Sequence, residues 1–308
     1  IAEEVARIIG YNILPSKKFL IRTKKLSKPS KEIKVKHFLA SKGFFEVINY
    51  PFSANKKEDS ISIVNPLDSN KSYFRRNIVD SLLSNLVFNE RRQKDSIKIF
   101  EVSDLYSQDL SSREIILKRR IGIIVSGRKG HNYRDFNSII DYDFLREILN
   151  NLSPDITNNI KEIPRESINS KLKFPIFSAE FDLDDLDGTN EDLKKIPFEI
   201  GLNTTSKKYV QVSEFPLVNR DLSFLIKDPS QVDSFVNFSK NIKNDLIKKS
   251  FMFDLYENKE KNLMKIGFRF VFQSKRRTLT DLEVDKVISD IVESILMKYD
   301  IEIPGYKN

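Results

Sequence analysis

Hydrophobic and polar residues alternate most regularly in the last third of the chain. From Met264 to Gln273 the even positions are apolar and the odd positions are mainly polar, which predicts a β-strand with one buried face. Thr280 and Glu283 have the spacing of a helix capping box. An apolar stripe with helical spacing follows them, at Val284, Val287, Ile288, Ile291 and Ile295. A helix over 281–298 is therefore predicted directly after the strand.

The pattern around this strand and helix predicts a complete small domain over 209–308. It indicates a short strand after Arg220-Asp221, a helix over 231–247, a strand over 250–256 and a last strand near Ile301-Glu302-Ile303. The resulting order is β-α-β-β-α-β, which is the ferredoxin-like arrangement. In that arrangement we expect both helices to cover one face of the sheet.

The preceding region, 19–208, has the pattern of a second domain. Helices are predicted over 30–42, 78–93 and 141–150. Strands are predicted over 44–52, 60–64, 97–106, 119–127 and 174–183. Elements in this order form a mainly antiparallel sheet flanked by helices, so the fold class predicted for the chain is α+β.

Length and composition exclude several classes of function. A chain of 308 residues is long enough for two domains with their own cores. It has no cysteine, which excludes disulfides, thiolate catalysis and cysteine-based zinc sites, and its two histidines leave little room for a histidine-rich metal site. No apolar run approaches the roughly 20 residues that cross a bilayer, and no secretory signal pattern is found. We therefore expect a cytoplasmic protein with no membrane partner.

The net charge of +8 is concentrated in the first half of the chain. Residues 1–130 contain 26 Lys and Arg against 14 Asp and Glu, whereas residues 209–308 contain 16 against 15. An anionic partner attracted by the net positive charge would therefore interact mainly with the first half of the chain. A lysine-rich surface can equally reflect a bias toward A·T-rich codons, so charge alone does not decide for a nucleic-acid partner.

The last domain contains short motifs in a fixed order. They are Phe215-Pro216, Arg220-Asp221, Phe253-Asp254-Leu255-Tyr256, Gly267-Phe268-Arg269-Phe270 and Arg277-Thr278-Leu279-Thr280-Asp281. Together they closely resemble the anticodon-binding domain that ends the beta subunit in the bacterial phenylalanyl-tRNA synthetase family. The region 19–208 is similar to the class II synthetase-like module of that subunit, although Ser103 replaces a usual glycine. The competing interpretation is a ferredoxin-like domain of unrelated use, because a fold alone does not give function.

The resemblance implies a non-catalytic subunit of phenylalanine–tRNA ligase. In the family this module is inactive and packs on a catalytic alpha subunit, which uses ATP, in an (αβ)2 heterotetramer that charges tRNA(Phe). The sequence agrees, because it has no clustered Gly-x-Gly turn and Ser107 falls near the position of an ATP-binding arginine. We therefore expect no catalytic residues and no amino-acid activation by this chain alone. The alternative is a free-standing RNA-binding protein with a decayed synthetase module.

The chain departs from the family between the predicted helix at 141–150 and the predicted strand at 174–183. The family normally has a longer segment there with a His-Pro-Gly motif, whereas Ser153–Lys173 is short and polar. We therefore expect the sheet to lack a strand pair at this place.

Residues 1–18 begin within a helix that has neither an initiator Met nor an N-cap, and they resemble the end of the preceding, B5-type domain of the family. In the family two adjacent glutamates on this helix bind a Mg²⁺ shared with the alpha subunit, and Glu3 and Glu4 match them. Carboxylate oxygens suit Mg²⁺, but two of them leave the octahedron incomplete, and the further family aspartates would lie upstream of Ile1. Without the resemblance, both glutamates are explained by their favourable position near a helix N-terminus.

Six residues are predicted to contact RNA from the sheet face turned away from the helices. They are Ser223, Asp254, Tyr256, Lys265, Arg269 and Gln273. The set offers a phosphate partner, a stacking ring and base-edge hydrogen-bonding groups, as recognition of a splayed single-stranded anticodon loop requires. The competing interpretation is that Arg269 only forms a cross-strand ion pair with Asp254.

Overall fold

The structure is a computed structural model that describes residues 1–16, 30–186, 211–258 and 263–305. It divides into two compact units, Ile1–Ser30 and Lys31–Asn308. In the first unit, helix α1 (Ala2–Ile9) is followed by a 3-10 turn and has no buried residue. Across the described ranges no helix has the length and apolar character needed to cross a bilayer. The domain boundaries predicted at 18/19 and 208/209 lie outside the described residues.

The second unit begins with a module built on a five-stranded sheet. Its elements are α2 (Lys31–Ser41), β1 (Phe45–Glu46), β2 (Phe52–Ser53), β3 (Tyr73–Phe74), α3 (Val79–Glu90), β4 (Ser96–Gln108), β5 (Ile115–Gly127), α4 (Tyr142–Asn150), β6 (Lys161–Glu162) and β7 (Ile176–Asp182). The strand order is β1-β4-β5-β7-β6, in which β1 runs parallel to β4 and the other pairs are antiparallel. Strands β2 and β3 pair separately. We call this part the synthetase-like module.

Both faces of the large sheet are buried over 121–127 of β5, which explains the apolar run in that part of the strand. One face packs against α2 and α4, and the other packs against the side chains of Ile78, Leu82 and Leu86 on and beside α3. Gly122 lets α3 approach the sheet closely, because a Cβ at this position would lie 2.6 Å from Ile78 Cγ2. The start of α3 therefore packs directly on the backbone of β5 at Gly122.

Two predictions about this module were wrong. The single strand predicted over 44–52 is interrupted, because Asn49 hydrogen-bonds Glu101 through its backbone N (3.3 Å) and its Nδ2 (2.8 Å) instead of continuing the ladder. The range 60–64 contributes an isolated bridge from Ser62 rather than a strand. The segment 153–173, where we expected the sheet to lack a strand pair, contributes one two-residue edge strand, β6, which pairs with β7.

The remaining described residues form a second sheet with the predicted β-α-β-β-α-β order. The elements are β8 (Val218–Ile226), α5 (Val232–Lys240), β9 (Ile247–Asn258), β10 (Leu263–Phe272), α6 (Asp281–Leu296) and β11 (Ile301–Glu302). The strand order is β11-β8-β10-β9 with antiparallel neighbours. Apolar residues at the even positions of β8 and β10 form one core with α5 and α6. We call this part the ferredoxin-like domain.

Local signals decide where the two helices of this domain begin and end. Helix α6 starts with the predicted capping box between Thr280 and Glu283. The carboxylate of Glu283 accepts hydrogen bonds from Arg277, which have the larger effect, and from Thr280, and together they lower the pKa of Glu283 to about 2. Helix α5 is shorter than predicted and ends at Lys240. Asn241 follows as the C-cap, and its Nδ2 donates to the Asn237 carbonyl at 2.8 Å. Asn244 then accepts a hydrogen bond from Leu246 N (2.9 Å) in the turn that leads to β9.

Candidate nucleic-acid interface

Two β-bulges in β9 determine which side chains reach the outer face, by which we mean the sheet face turned away from α5 and α6. The register between β9 and β10 shifts at Gly267/Phe268 and again at Val271/Phe272, which makes Phe253 and Lys248 the extra residues. The first bulge requires a glycine, because a Cβ on Gly267 would lie 2.8 Å from Phe253 Cζ and 2.9 Å from Asp254 Cβ. Phe253 and Asp254 can therefore both lie on the outer face.

The six residues predicted to contact RNA belong to the outer face, but their surroundings differ. Tyr256 and Lys265 are partners in the register of β9 and β10, and both are exposed, Tyr256 by 59%. Ser223 lies opposite Gly267, and its hydroxyl is buried with no hydrogen-bond partner among the described residues. Tyr256 and Lys265 are thus the members of the set that are open to a ligand.

Arg269 forms an ion pair, but with a different residue than the competing interpretation named. Its Nε and Nη2 donate to the two carboxylate oxygens of Asp221, each at 2.6 Å. The reason is register, because Arg269 lies opposite Asp221 whereas Asp254 lies opposite Gly267. The bond to Asp221 raises the pKa of Arg269, whose side chain is 20% exposed. The competing interpretation therefore named the wrong partner for Arg269.

The synthetase-like module packs against this part of the outer face. The ring of Phe136, which is 3% exposed, lies 5.3 Å from the ring of Phe253 and 5.9 Å from that of Phe251. The guanidinium of Arg269 lies 4.8 Å from the centroid of the Phe136 ring. Asn137 Nδ2 donates to Asp254 Oδ1 at 3.4 Å. Arg269 and Asp254 therefore lie in the contact between module and domain.

Phe136 is held in this contact by Arg128. The Arg128 guanidinium lies 4.1 Å from the Phe136 ring centroid, and its Nη1 donates to the Phe136 carbonyl at 2.6 Å. The sequence signal for this contact was a single phenylalanine in a polar loop, which does not specify its partner.

Gln273 also has partners within the chain. Its Nε2 donates to the carbonyl of Phe215 at 2.6 Å, and its Oε1 accepts from Lys248 Nζ at 2.5 Å. The side chain therefore fixes the segment that leads into β8, at the end of the outer face opposite Lys265.

Several arginines of the synthetase-like module bind carboxylates of the same chain. Arg75 and Glu101 form a buried pair, with bonds of 2.5 and 3.1 Å. Glu180 accepts from Arg120 at 2.8 Å, and its other oxygen accepts from the backbone N of Ile78 at 2.8 Å near the start of α3. These arginines are thus engaged by carboxylates of the same chain, although the buried Nε atoms of Arg75 and Arg120 have no hydrogen-bond partner among the described residues.

The two predicted metal ligands lie in the first turn of α1. Glu4 forms an exposed ion pair with Arg7 at 2.6 Å. In the ranges that the structure describes, no three His, Asp or Glu side chains come close enough together to hold a metal ion. Glu3 and Glu4 can supply at most part of the octahedral oxygen shell that Mg²⁺ prefers.

An antiparallel α+β module joined to a ferredoxin-like domain, with an exposed tyrosine and lysine on the outer face, is consistent with a protein of the aminoacyl-tRNA synthetase class. The family model described as the phenylalanyl tRNA synthetase beta chain CLM domain matches residues 16–183. The model described as a ferredoxin-fold anticodon binding domain matches residues 213–304. The chain therefore belongs to the phenylalanyl-tRNA synthetase beta chain family, as its sequence motifs predicted.

Curated relatives agree with this assignment. The phenylalanine–tRNA ligase beta subunit of Clostridium tetani is 28% identical over 332 residues, covering 96% of this chain and 40% of that protein. The chloroplastic phenylalanine–tRNA ligase beta subunit of Porphyra purpurea is 25% identical, covering 98% of this chain and 46% of that protein. The chain thus spans less than half the length of these relatives. A solved pyrrolysyl-tRNA synthetase from Desulfitobacterium hafniense aligns with 54% of this chain and 65% of its own at 14% identity and a TM-score of 0.33, too low to support any argument.

Proposed function

We propose that this chain acts as the C-terminal part of a phenylalanine–tRNA ligase beta subunit. In this role it is the non-catalytic partner of an alpha subunit, which binds ATP, and its ferredoxin-like domain binds the anticodon region of tRNA(Phe). The observation that carries the proposal is the succession of the two family matches, at 16–183 and 213–304, in one chain. An (αβ)2 assembly and a cytoplasmic location are parts of the same proposal.

The alternative, a free-standing RNA-binding protein with a decayed synthetase module, is less favoured. The relatives named as ligase beta subunits align with 96% and 98% of the chain, so the similarity is not limited to the RNA-binding domain.

Apolar side chains exposed on the synthetase-like module support a protein partner. They include Phe45, Ile48, Tyr50, Val64, Leu67, Leu110, Ile115 and Leu117. Exposed apolar side chains mark a protein–protein interface where they form one contiguous patch. We propose that the alpha subunit covers these side chains.

The chain by itself should not activate phenylalanine. We expect no phenylalanine-dependent exchange of pyrophosphate into ATP by the purified chain, because the sequence has no clustered Gly-x-Gly turn and Ser107 falls near the position of an ATP-binding arginine. The active ligase, with its alpha subunit, is the positive control. Exchange by the chain without any alpha subunit would contradict the proposal.

We propose that Tyr256 and Lys265 contact the RNA directly. The other four predicted residues position the surface around these two. Replacing Tyr256 with Ala should weaken binding of an anticodon stem-loop of tRNA(Phe) by about 1–3 kcal/mol, because a stacking ring is lost. Tyr256→Phe is the matched control and should bind nearly as well as the wild type, since it keeps the ring. Fluorescence anisotropy with the labelled stem-loop measures both. Equal affinity of the alanine variant and the wild type would place the anticodon surface elsewhere, in the loops near Phe215 and Arg276.

Glu3 and Glu4 are proposed to supply carboxylate oxygens to a Mg²⁺ shared with the alpha subunit. Their exposure in the first turn of α1 supports this role, because side chains that are open to solvent can also reach a ligand from another chain. The remaining oxygen ligands would come from residues outside the described set or from water.

A further inference from the structure

Cationic side chains of the module and of the domain meet around one carboxylate. Arg128 Nε donates to one oxygen of Asp95 at 3.2 Å, and His131 Nε2 lies 3.8 Å from the other. The imidazole of His131 packs edge-on against the ring of Phe251, with 5.9 Å between centroids. Lys249 Nζ lies 4.5 Å from the centroid of that same ring. The ring of Phe251 therefore brings a lysine of the ferredoxin-like domain close to the imidazole of the module.

Two further lysines join this group because of local backbone irregularities. Lys94 precedes Asp95 in the turn after α3, where Gln93 has a φ of +60°. Lys248 is the extra residue of the second bulge in β9, so it lies beside Lys249 on the outer face, where its Nζ bonds the neutral side chain of Gln273. Within the part of the chain that the structure describes, these three lysines form no ion pair. We call Lys94, His131, Lys248 and Lys249 the junction cluster.

The members of the junction cluster are close enough to repel one another. Burial first, and then the charge of Lys94, lowers the pKa of Lys248. Burial also lowers the pKa of Lys249. The charge of Asp95 partly offsets this decrease, and the charges of Lys94 and Arg269 increase it. Burial and then Lys249 lower the pKa of His131, so its imidazole is mainly neutral at pH 7 and can donate an N–H hydrogen bond. An anion at this place would relieve the repulsion that one carboxylate leaves uncompensated.

We propose that the junction cluster binds the phosphate backbone of RNA, so that a bound tRNA contacts the synthetase-like module and the ferredoxin-like domain at once. The proposal rests on the proposed function, because it takes tRNA as the RNA. Ammonium groups and a neutral imidazole N–H are suitable donors to phosphate oxygens. Lysine is a point charge without the planar fork that reads base edges, so this contact positions the RNA and does not read its sequence.

The first experiment removes the charge of the three lysines. The triple variant Lys94→Gln, Lys248→Gln and Lys249→Gln should bind a tRNA(Phe) transcript on the order of tenfold more weakly at low salt, and the slope of log K against log salt should become less steep by about 3, or roughly 0.9 for each lysine. The matched control replaces Lys56, Lys57 and Lys286, which are exposed and lie outside the cluster, with Gln. The control removes the same total charge and should keep the wild-type slope. Equal losses in both triple variants would overturn the proposal, because they would show a general field instead of a site.

The second experiment should change the affinity in the opposite direction. Asp95→Asn keeps an oxygen that can accept from Arg128 but removes the negative charge, so we expect tRNA(Phe) to bind several-fold more tightly. A misfolded variant cannot produce this gain. Unchanged or weaker binding by a folded Asp95→Asn variant would contradict the proposal. Failure of the wild-type chain to bind tRNA(Phe) would count against the proposed function, whereas wild-type binding with an unchanged slope in the lysine variant would count against the junction cluster alone.

Discussion

Replacing Arg75 with Met should lower the free energy of unfolding by about 3–5 kcal/mol, because the change leaves a buried carboxylate without its cation. Arg75 is 3% exposed and holds Glu101 through two bonds, of 2.5 and 3.1 Å. Glu101 also accepts from Asn49, so its orientation determines where the chain leaves β1. Chemical denaturation of the wild type and the variant, followed by circular dichroism, measures the difference.

Two controls separate the charge from the loss of packing. The double variant Arg75→Met with Glu101→Leu should recover much of the lost stability, because an apolar pair can replace a buried ion pair at little net cost. Lys118→Met removes one side of the exposed pair with Asp182 and should change stability by no more than about 0.5 kcal/mol. A loss in the Arg75 variant no larger than that in the Lys118 variant would show that water reaches Glu101 in solution.

Elements with local signals were predicted well from the sequence, and elements that depend on distant partners were not. Helix α6 and strand β10 were placed within two residues, because a capping box and a two-residue period are set by neighbouring positions. The strand predicted over 44–52 failed because Asn49 bonds Glu101, more than 50 residues away in the sequence. No local pattern contains that information.

The same distinction applies to the candidate site. Alternation in β8 and β10 correctly assigned the outer face, but it could not reveal which part of that face is covered. The ion pair of Arg269 depends on strand register and on the bulge at Phe253, and neither is encoded in the spacing of charged residues. The contact with Phe136 joins a loop of one module to a strand of another domain, so only the assembled structure shows it.

Replacing Phe136 with Ala should separate the ferredoxin-like domain from the synthetase-like module. The buried ring contacts Phe251, Phe253 and the guanidinium of Arg269, so its removal leaves a cavity at the centre of the contact. A buried Phe→Ala change costs about 3 kcal/mol or more. We expect the wild type to unfold in one thermal transition by calorimetry and the variant to unfold in two, with the ferredoxin-like domain melting first.

The exposed ring of Phe88 provides the control, because Phe88→Ala removes the same atoms from a surface position and should keep a single transition near the wild-type temperature. A single, unshifted transition in the Phe136 variant would contradict the contact.

The variant also tests the junction cluster independently, because Lys94 and His131 belong to the module whereas Lys248 and Lys249 belong to the domain. If the two halves of the cluster act on one RNA, separating them should lower the salt dependence of tRNA(Phe) binding even though every lysine is still present. If the domain binds RNA by itself, the salt dependence should stay the same while the melting curve splits.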